Sequence, residues 1–344
     1  KESIMNKLTK IGVSALCGSL AAVSAANAGA MSVSGGANAT WTKVSQGTTG
    51  NPLGMASNLT FTGSGELDNG NAFTLSVAHT DKNAYTASQI AYTTSMGTFT
   101  LDQGGGTGLD RIDDMMPTAW EETDGTGVTA GLNTVSGAGG STDIEWTVSS
   151  DILPDGLTAH IAWSPKPDGS KNNDKSVSGA GSDAIDGSGY DVVLIHTGLM
   201  DGLKAFAGYG VIAKTASAGA NGFTSDNTQY SLGATYAVGS VTVGYQYSRN
   251  NIQDADDQAT RFYENNAYGI SFNVNDDLSL SYGVHKSDRA LNGAASVELD
   301  GESLQMAYSM GGATLKIAET SIDNAEYVST AKNEGTTVML SLAF

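Results

Sequence analysis

The sequence predicts an all-β fold, an antiparallel up-and-down barrel of about sixteen strands that crosses a membrane. Three observations carry this expectation. Short segments alternate strictly between apolar and polar residues. The connections between them alternate in length. After the first 28 residues, no stretch offers eighteen consecutive apolar residues, so any crossing must be made by strands.

The first segment reads as an export signal. Lys7 and Lys10 form a basic start, Ile11 to Val23 is apolar and too short to span a bilayer, and Ala26-Asn27-Ala28 supplies small residues for cleavage. The expected division is a signal peptide at 1–28, with Met5 as its start and 1–4 as an upstream extension, then a single barrel domain at 29–344. Cys17, the one cysteine, lies in the signal, so the mature chain has no thiol chemistry. Removing 1–28 leaves 14 basic and 35 acidic residues, a net charge of −21. Such acidity excludes a nucleic-acid partner, which needs a basic stripe. Gly is abundant at 44, Pro scarce at 5, and mean hydropathy is slightly polar. A barrel with an apolar outside and a polar lumen has this balance.

Period-two alternation is clearest in Val241 to Ser248. There Val241, Val243, Tyr245 and Tyr247 share one face and Thr242, Gly244, Gln246 and Ser248 the other. Tyr230 to Val238, Leu278 to Val284, Phe73 to Ala78 and Ile144 to Ser149 repeat the pattern. Sixteen segments follow: 30–44, 56–67, 72–80, 86–94, 97–102, 141–149, 156–165, 189–199, 203–214, 228–238, 240–250, 263–274, 278–288, 297–309, 313–324 and 334–344. The segment 189–199 fits least well, because Val192 to Ile195 is apolar on both faces.

Every second connection is short, as at Asp68 to Asn71, Met96-Gly97, Met200 to Gly202, Gly239 and Met310 to Gly312. The others are longer and polar, with 103–140 the longest. Membrane barrels have short periplasmic turns and longer extracellular loops, whereas a soluble sandwich has no reason to sort loops this way. The last segment places Val338, Leu340, Leu342 and Phe344 on one face, with the final aromatic at an interfacial level.

Carried by this whole pattern (signal, sixteen alternating segments, a long third loop and a last strand ending in Phe344), the mature chain resembles the Gram-negative general porins, of alphaproteobacterial type. The resemblance implies an outer-membrane homotrimer surrounded by lipid and lipopolysaccharide. It implies a last strand read by the barrel-assembly machinery, and a water-filled pore for passive diffusion of small hydrophilic solutes. It also implies a third loop folded into the barrel, and no required cofactor.

In this numbering the third loop carries Asp110, Asp113, Asp114, Glu121, Glu122 and Asp124 against the single Arg111. Folded inward, that stretch makes a negative rim whose field favours cations. The resemblance implies basic residues on the facing wall. Lys204 and Lys316 have the lumen parity, a few residues above short turns, but four arginines in the whole chain are too few for a dense ladder. Glu145 and His160 also fall on polar faces and read as lumen wall.

Other readings stay open. A barrel can be an adhesin or a hydrolase, although no nucleophile and base pattern is present. Gly105 to Asp113 fits one copy of the calcium-binding nonapeptide of secreted β-roll proteins. A single Ca²⁺ on Asp110, Asp113 and Asp114 is the related expectation within a barrel loop.

Overall fold

The computed structural model describes residues 28–45, 50–81, 87–139, 142–167, 186–214 and 222–343. The signal residues 1–27 and the terminal Phe344 lie outside the described residues. No helix among the described residues is long and apolar enough to cross a membrane.

Sixteen strands close into one barrel. They are β1 (Ala28–Val44), β2 (Leu53–Glu66), β3 (Ala72–Thr80), β4 (Ala87–Thr94), β5 (Gly97–Gln103), β6 (Thr142–Val148), β7 (Leu157–Ser164) and β8 (Asp186–His196), followed by β9 (Leu203–Lys214), β10 (Asn227–Val238), β11 (Val241–Asn251), β12 (Thr260–Asn273), β13 (Leu278–Leu291), β14 (Val297–Met310), β15 (Ala313–Asp323) and β16 (Lys332–Ala343). Each pairs antiparallel with its sequence neighbours, and β16 closes on β1 from Gly36↔Ala343 to Val44↔Gly335. Closure leaves no free edge, so every strand has a ladder partner on both sides, as a backbone in lipid requires.

The alternation sorts side chains between lipid and lumen. Outward positions such as Leu75, Ile90, Leu101, Leu194, Leu232, Val243, Ile270 and Leu342 are exposed apolar residues. Near the turn end of the strands Phe99, Phe272 and Tyr308 are exposed on the same outer face, and nearer the loop end Trp41, Trp163 and Tyr190. Amphipathic rings at these two levels mark the interfaces of a lipid band. Val338, Leu340 and Leu342 of β16 stand in that outer face, register partners of Trp41, Ala39 and Ala37.

The turn between β4 and β5 shows how a two-residue link is made. Gly97 has φ +123, and a Cβ there would stand 2.1 Å from the Thr147 carbonyl oxygen, so only glycine fits. The β8 boundary differs from the sequence expectation by three residues at each end, because His196 is its last paired residue. Thr197 belongs to the turn, its N–H donating to the Gly156 carbonyl at 2.9 Å.

Candidate functional site

The long connection between β5 and β6 runs inside the barrel. It opens with a short 3-10 turn, Gly108–Ile112. Leu109 and Ile112 in this turn are fully buried against Val193 and Phe206, joined by Val135 from the loop's return limb. Val193 and Ile195 point into the lumen, so the apolar inner face of β8 is the seat of the loop. This explains why Val192 to Ile195 is apolar on both sides: one side meets lipid, the other meets Leu109 and Ile112. Gly208 leaves the room, since a Cβ there would stand 2.6 Å from Leu109 Cδ1. Further along, Val128 and Ala130 pack on Leu299, Ile322 and Tyr327 at the opposite side of the lumen.

Polar side chains of the wall hold the backbone of the loop. Asp191 accepts the N–H groups of Leu109 (3.0 Å), Ala138 (3.0 Å) and Gly139 (2.9 Å), tying both ends of the loop to β8. Glu145 accepts the Gly108 N–H at 2.7 Å and the Arg111 guanidinium at 2.6 Å. Gln229 accepts from Ser136 and Gly137, Gln246 from Met115, Ser281 from Ala119, and Gln305 from Glu121. Thr126 and Thr320 share a bond of 2.6 Å. A loop inside a barrel must have its peptide groups satisfied, and inward residues of β6, β8, β10, β11, β13 and β14 do this.

The acidic residues fall into two groups. Asp110 faces back into the loop, taking the Gly106 N–H at 2.7 Å. Asp113, Asp114, Glu121, Glu122 and Asp124 lie together with no ion pair among the described residues, and Asp114 and Asp124 are exposed to the lumen. Burial, the neighbouring Asp114 and then Asp110 push Asp113 up to about 8. Burial and a hydrogen bond with Glu121 push Glu122 up to about 9. Asp114 and Asp110 are also raised, chiefly by burial. Crowded carboxylates therefore hold protons at neutral pH that an exposed carboxylate would lose.

Arg111 does not offset this charge at the rim, because it is held by Glu145. Glu145 and His160 have the lumen parity but are covered by the loop, with 1% and 7% side-chain exposure. They brace the loop and do not line open water. The His160 Nδ1 stands 3.0 Å from Thr147 Oγ1 and 3.3 Å from Glu145 Oε1.

Lys204 pairs with Thr235 in the register and shares the inward parity of Phe206. Lys316 faces a hollow of about 370 Å³ with Asn38, Asn58 and Ser341, near the Gly311-Gly312 turn. The structure therefore does not bring either lysine to the acidic rim. Arg249 points outward, 3.7 Å from the Phe262 ring centroid and 3.0 Å from Glu264. Arg289 points inward and donates to Thr260 Oγ1 at 2.9 Å. The lumen side of β1–β5 carries Asn38, Thr40, Thr42, Asn58, Thr60, Thr74, Ser76, Gln89 and Thr98, without Lys or Arg.

Among the described residues, no group of three or more His, Cys, Asp or Glu side chains is placed to hold a metal ion. Asp110, Asp113 and Asp114 therefore do not form the calcium cluster expected from their spacing. The 3-10 turn points Asp110 toward Gly106, away from that role.

A closed sixteen-stranded barrel with its third loop inside can be compared with known proteins. The family model of the Gram-negative porins matches residues 12–344. The chain belongs to the Gram-negative porin family. Its localisation is the outer membrane, where the short connections face the periplasm and the long ones the exterior. No curated protein matches this porin. Solved structures share its fold at low identity. Salmonella typhi OmpF in complex with daunomycin is 16% identical with a TM-score of 0.66, covering 91% of this porin and 97% of that chain. The anion-selective porin from Comamonas acidovorans is 13% identical with a TM-score of 0.64, covering 92% and 99%. OmpT of Vibrio cholerae, an outer membrane protein in trimer form, is 11% identical with a TM-score of 0.66, covering 92% and 100%.

Sequence reasoning missed the residues that seat the loop in this porin: Asp143, which accepts from the Thr107 hydroxyl at 2.9 Å, with Asp191, Gln229, Gln246 and Gln305. The available signal was their parity. An aspartate at the lumen position of an otherwise apolar strand needs a partner, and the loop's N–H groups are the partner.

Proposed function

We propose that this porin is a passive diffusion channel for small hydrophilic solutes and ions whose water path favours cations. The observation that carries this is the unpaired carboxylate group on the third loop, set across the lumen from a β1–β5 wall of mainly Thr, Ser, Asn and Gln that carries no inward Lys or Arg. A net field of one sign in a low-dielectric channel raises the local concentration of counter-ions. The barrel alone does not determine the sign, since a solved structure of this fold is an anion-selective porin. The trimer form of one structural neighbour supports a homotrimer. Contact with outer-membrane lipid and lipopolysaccharide, and reading of the last strand by the barrel-assembly machinery, belong to the same proposal and follow from the family resemblance.

The reading has no catalytic step. Thr147, His160 and Glu145 meet at one imidazole nitrogen, Nδ1. A nucleophilic triad instead needs the base to use one nitrogen for the nucleophile and the other for its orienting acid. The test is a reversal potential across a KCl gradient in a planar bilayer. Cation preference is expected, and Asp113→Asn, Asp114→Asn, Glu121→Gln and Glu122→Gln together should move the potential toward zero by tens of millivolts. An unchanged potential would remove these residues from the water path.

A further inference from the structure

The connection between β15 and β16, residues 324–331, turns inward and lies on the return limb of the third loop. The Glu326 N–H donates to the Ala130 carbonyl at 2.8 Å. The Tyr327 hydroxyl accepts the Asn133 N–H at 3.1 Å and shares a bond of 2.7 Å with Ser287 Oγ of β13. Ala325 and the Tyr327 ring are buried with Val128 and Ala130 against Leu299 and Ile322. Gly131 admits this approach, because a Cβ there would stand 2.7 Å from Glu326 Cγ. Asn333, near the start of β16, donates to the Thr129 carbonyl at 2.7 Å.

The backbone of the same connection carries a second, independent feature. Asn324, Glu326, Tyr327 and Thr330 have φ of 52, 56, 57 and 71, in the left-handed region. Asparagine visits that region readily. Glutamate, tyrosine and threonine do so at a cost, threonine most because it branches at Cβ. Such residues persist only where surrounding contacts over-determine them. Val328, Ser329 and Thr330 are exposed. The outside contacts that hold this backbone are therefore those of Ala325, Glu326 and Tyr327 with the third loop and the wall beneath it.

We propose that residues 324–331 form a loaded strap in which Tyr327 is a positioning residue: by holding the return limb of the third loop, it sets the largest solute the pore admits. The seat on β8 ties down Leu109 at one end of the loop and Ala138 and Gly139 at the other. The limb from Val128 to Asn133 lies on the opposite side of the lumen, where Asn333 and the strap hold it. Strain in the strap opposes the hydrogen bonds of Glu326 and Tyr327. Loss of the Tyr327 contacts lets strap and limb part, and the constriction widens. The proposal rests on the reading of this porin as a diffusion channel whose third loop lines the water path.

The test is liposome swelling, with the full chain reconstituted and arabinose and sucrose as probes. Tyr327→Ala should raise the sucrose-to-arabinose rate ratio about threefold or more, since a wider constriction favours the larger sugar. Tyr327→Phe keeps the ring, loses both hydroxyl bonds and should raise the ratio by a smaller factor. It also guards against an alanine variant that does not fold, and far-ultraviolet circular dichroism confirms the barrel in each case. A wild-type ratio in every variant that folds overturns the proposal. The load has its own readout. Glu326→Gly with Thr330→Gly relieves two left-handed residues and leaves Tyr327 in place, so open-channel current noise should fall below that of wild type. Noise at or above the wild-type level overturns the load. Wild-type liposomes that admit no arabinose overturn the channel reading and the role of the strap with it, whereas arabinose entry with an unmoved ratio sinks the strap alone.

Discussion

Asp191 shows how one residue can set the cross-section of a pore. Its carboxylate takes three backbone N–H groups, two from the return limb of the third loop and one from its start. It is fully buried, so these are its only compensation for leaving water. In Asp191→Ala the three donors lose their acceptor inside the barrel, at about 1–3 kcal/mol each. The loop is expected to leave its seat, raising single-channel conductance. Hydrogen exchange at Leu109, Ala138 and Gly139 checks this directly, and protection equal to wild type would show that the apolar contacts alone suffice. Asp191→Asn keeps one acceptor oxygen and should fall between the two. The same logic applies to Glu145, which takes both the Gly108 N–H and the Arg111 charge. Glu145→Gln should free Arg111 to face the rim and reduce cation preference, read as a smaller reversal potential.

The strands were legible in the sequence because lipid and water impose opposite demands on alternate residues. That demand is local, so all sixteen segments could be read within a few residues of their ends. The exception, β8, is instructive. Its two-sided apolar run weakened the pattern, and Leu199 extended it into what is a turn. The cause is not local: Val193 is buried by Leu109 and Ile112, more than eighty residues earlier in the chain. The loop's seat was unreadable for the same reason. Gln246 and Gln305 look like ordinary lumen residues until the loop lies on them, and nothing near Gln305 signals that it will meet Glu121. The positions of Lys204 and Lys316 followed from alternation, but their distance from the rim depended on the loop's height. The β8 seat gives its own prediction. Val193→Asn places an amide under two leucine-sized side chains with no partner, costing roughly 1–3 kcal/mol. Trypsin or chymotrypsin should then cut within 108–139 in folded protein while the barrel survives. A loop as resistant as wild type would mean that the hydrogen bonds of Asp191 and Gln229 hold it unaided.

At the scale of the whole molecule, the pore is asymmetric in charge, and that asymmetry should depend on pH. Asp113 ionises at about 8 and Glu122 at about 9, so at neutral pH both are largely protonated. Raising pH from 7 to 10 adds negative charge to a rim faced by no Lys or Arg of β1–β5, so cation preference should increase over that window. Linkage acts in the opposite sense on the seating of the loop. A carboxyl whose folded pKa is raised binds more protons folded than unfolded, so its contribution is fully present below the ordinary carboxylate range, near pH 4. It is lost progressively until the folded pKa of about 8 or 9 is passed. Alkaline pH therefore makes the rim more selective and the loop less firmly held. The two effects can be separated. Reversal potentials at about 0.1 M KCl, where the Debye length is about 10 Å, report the charge. Open-channel noise reports the seating. Both should rise together from pH 7 to pH 10 in the wild type. The variant carrying Asp113→Asn with Glu122→Gln lacks both titrating groups, so its potential should be nearly flat over the same range. A cation preference that falls with rising pH, or a double variant that tracks the wild type, would mean that the field in the pore is set elsewhere than on the third loop.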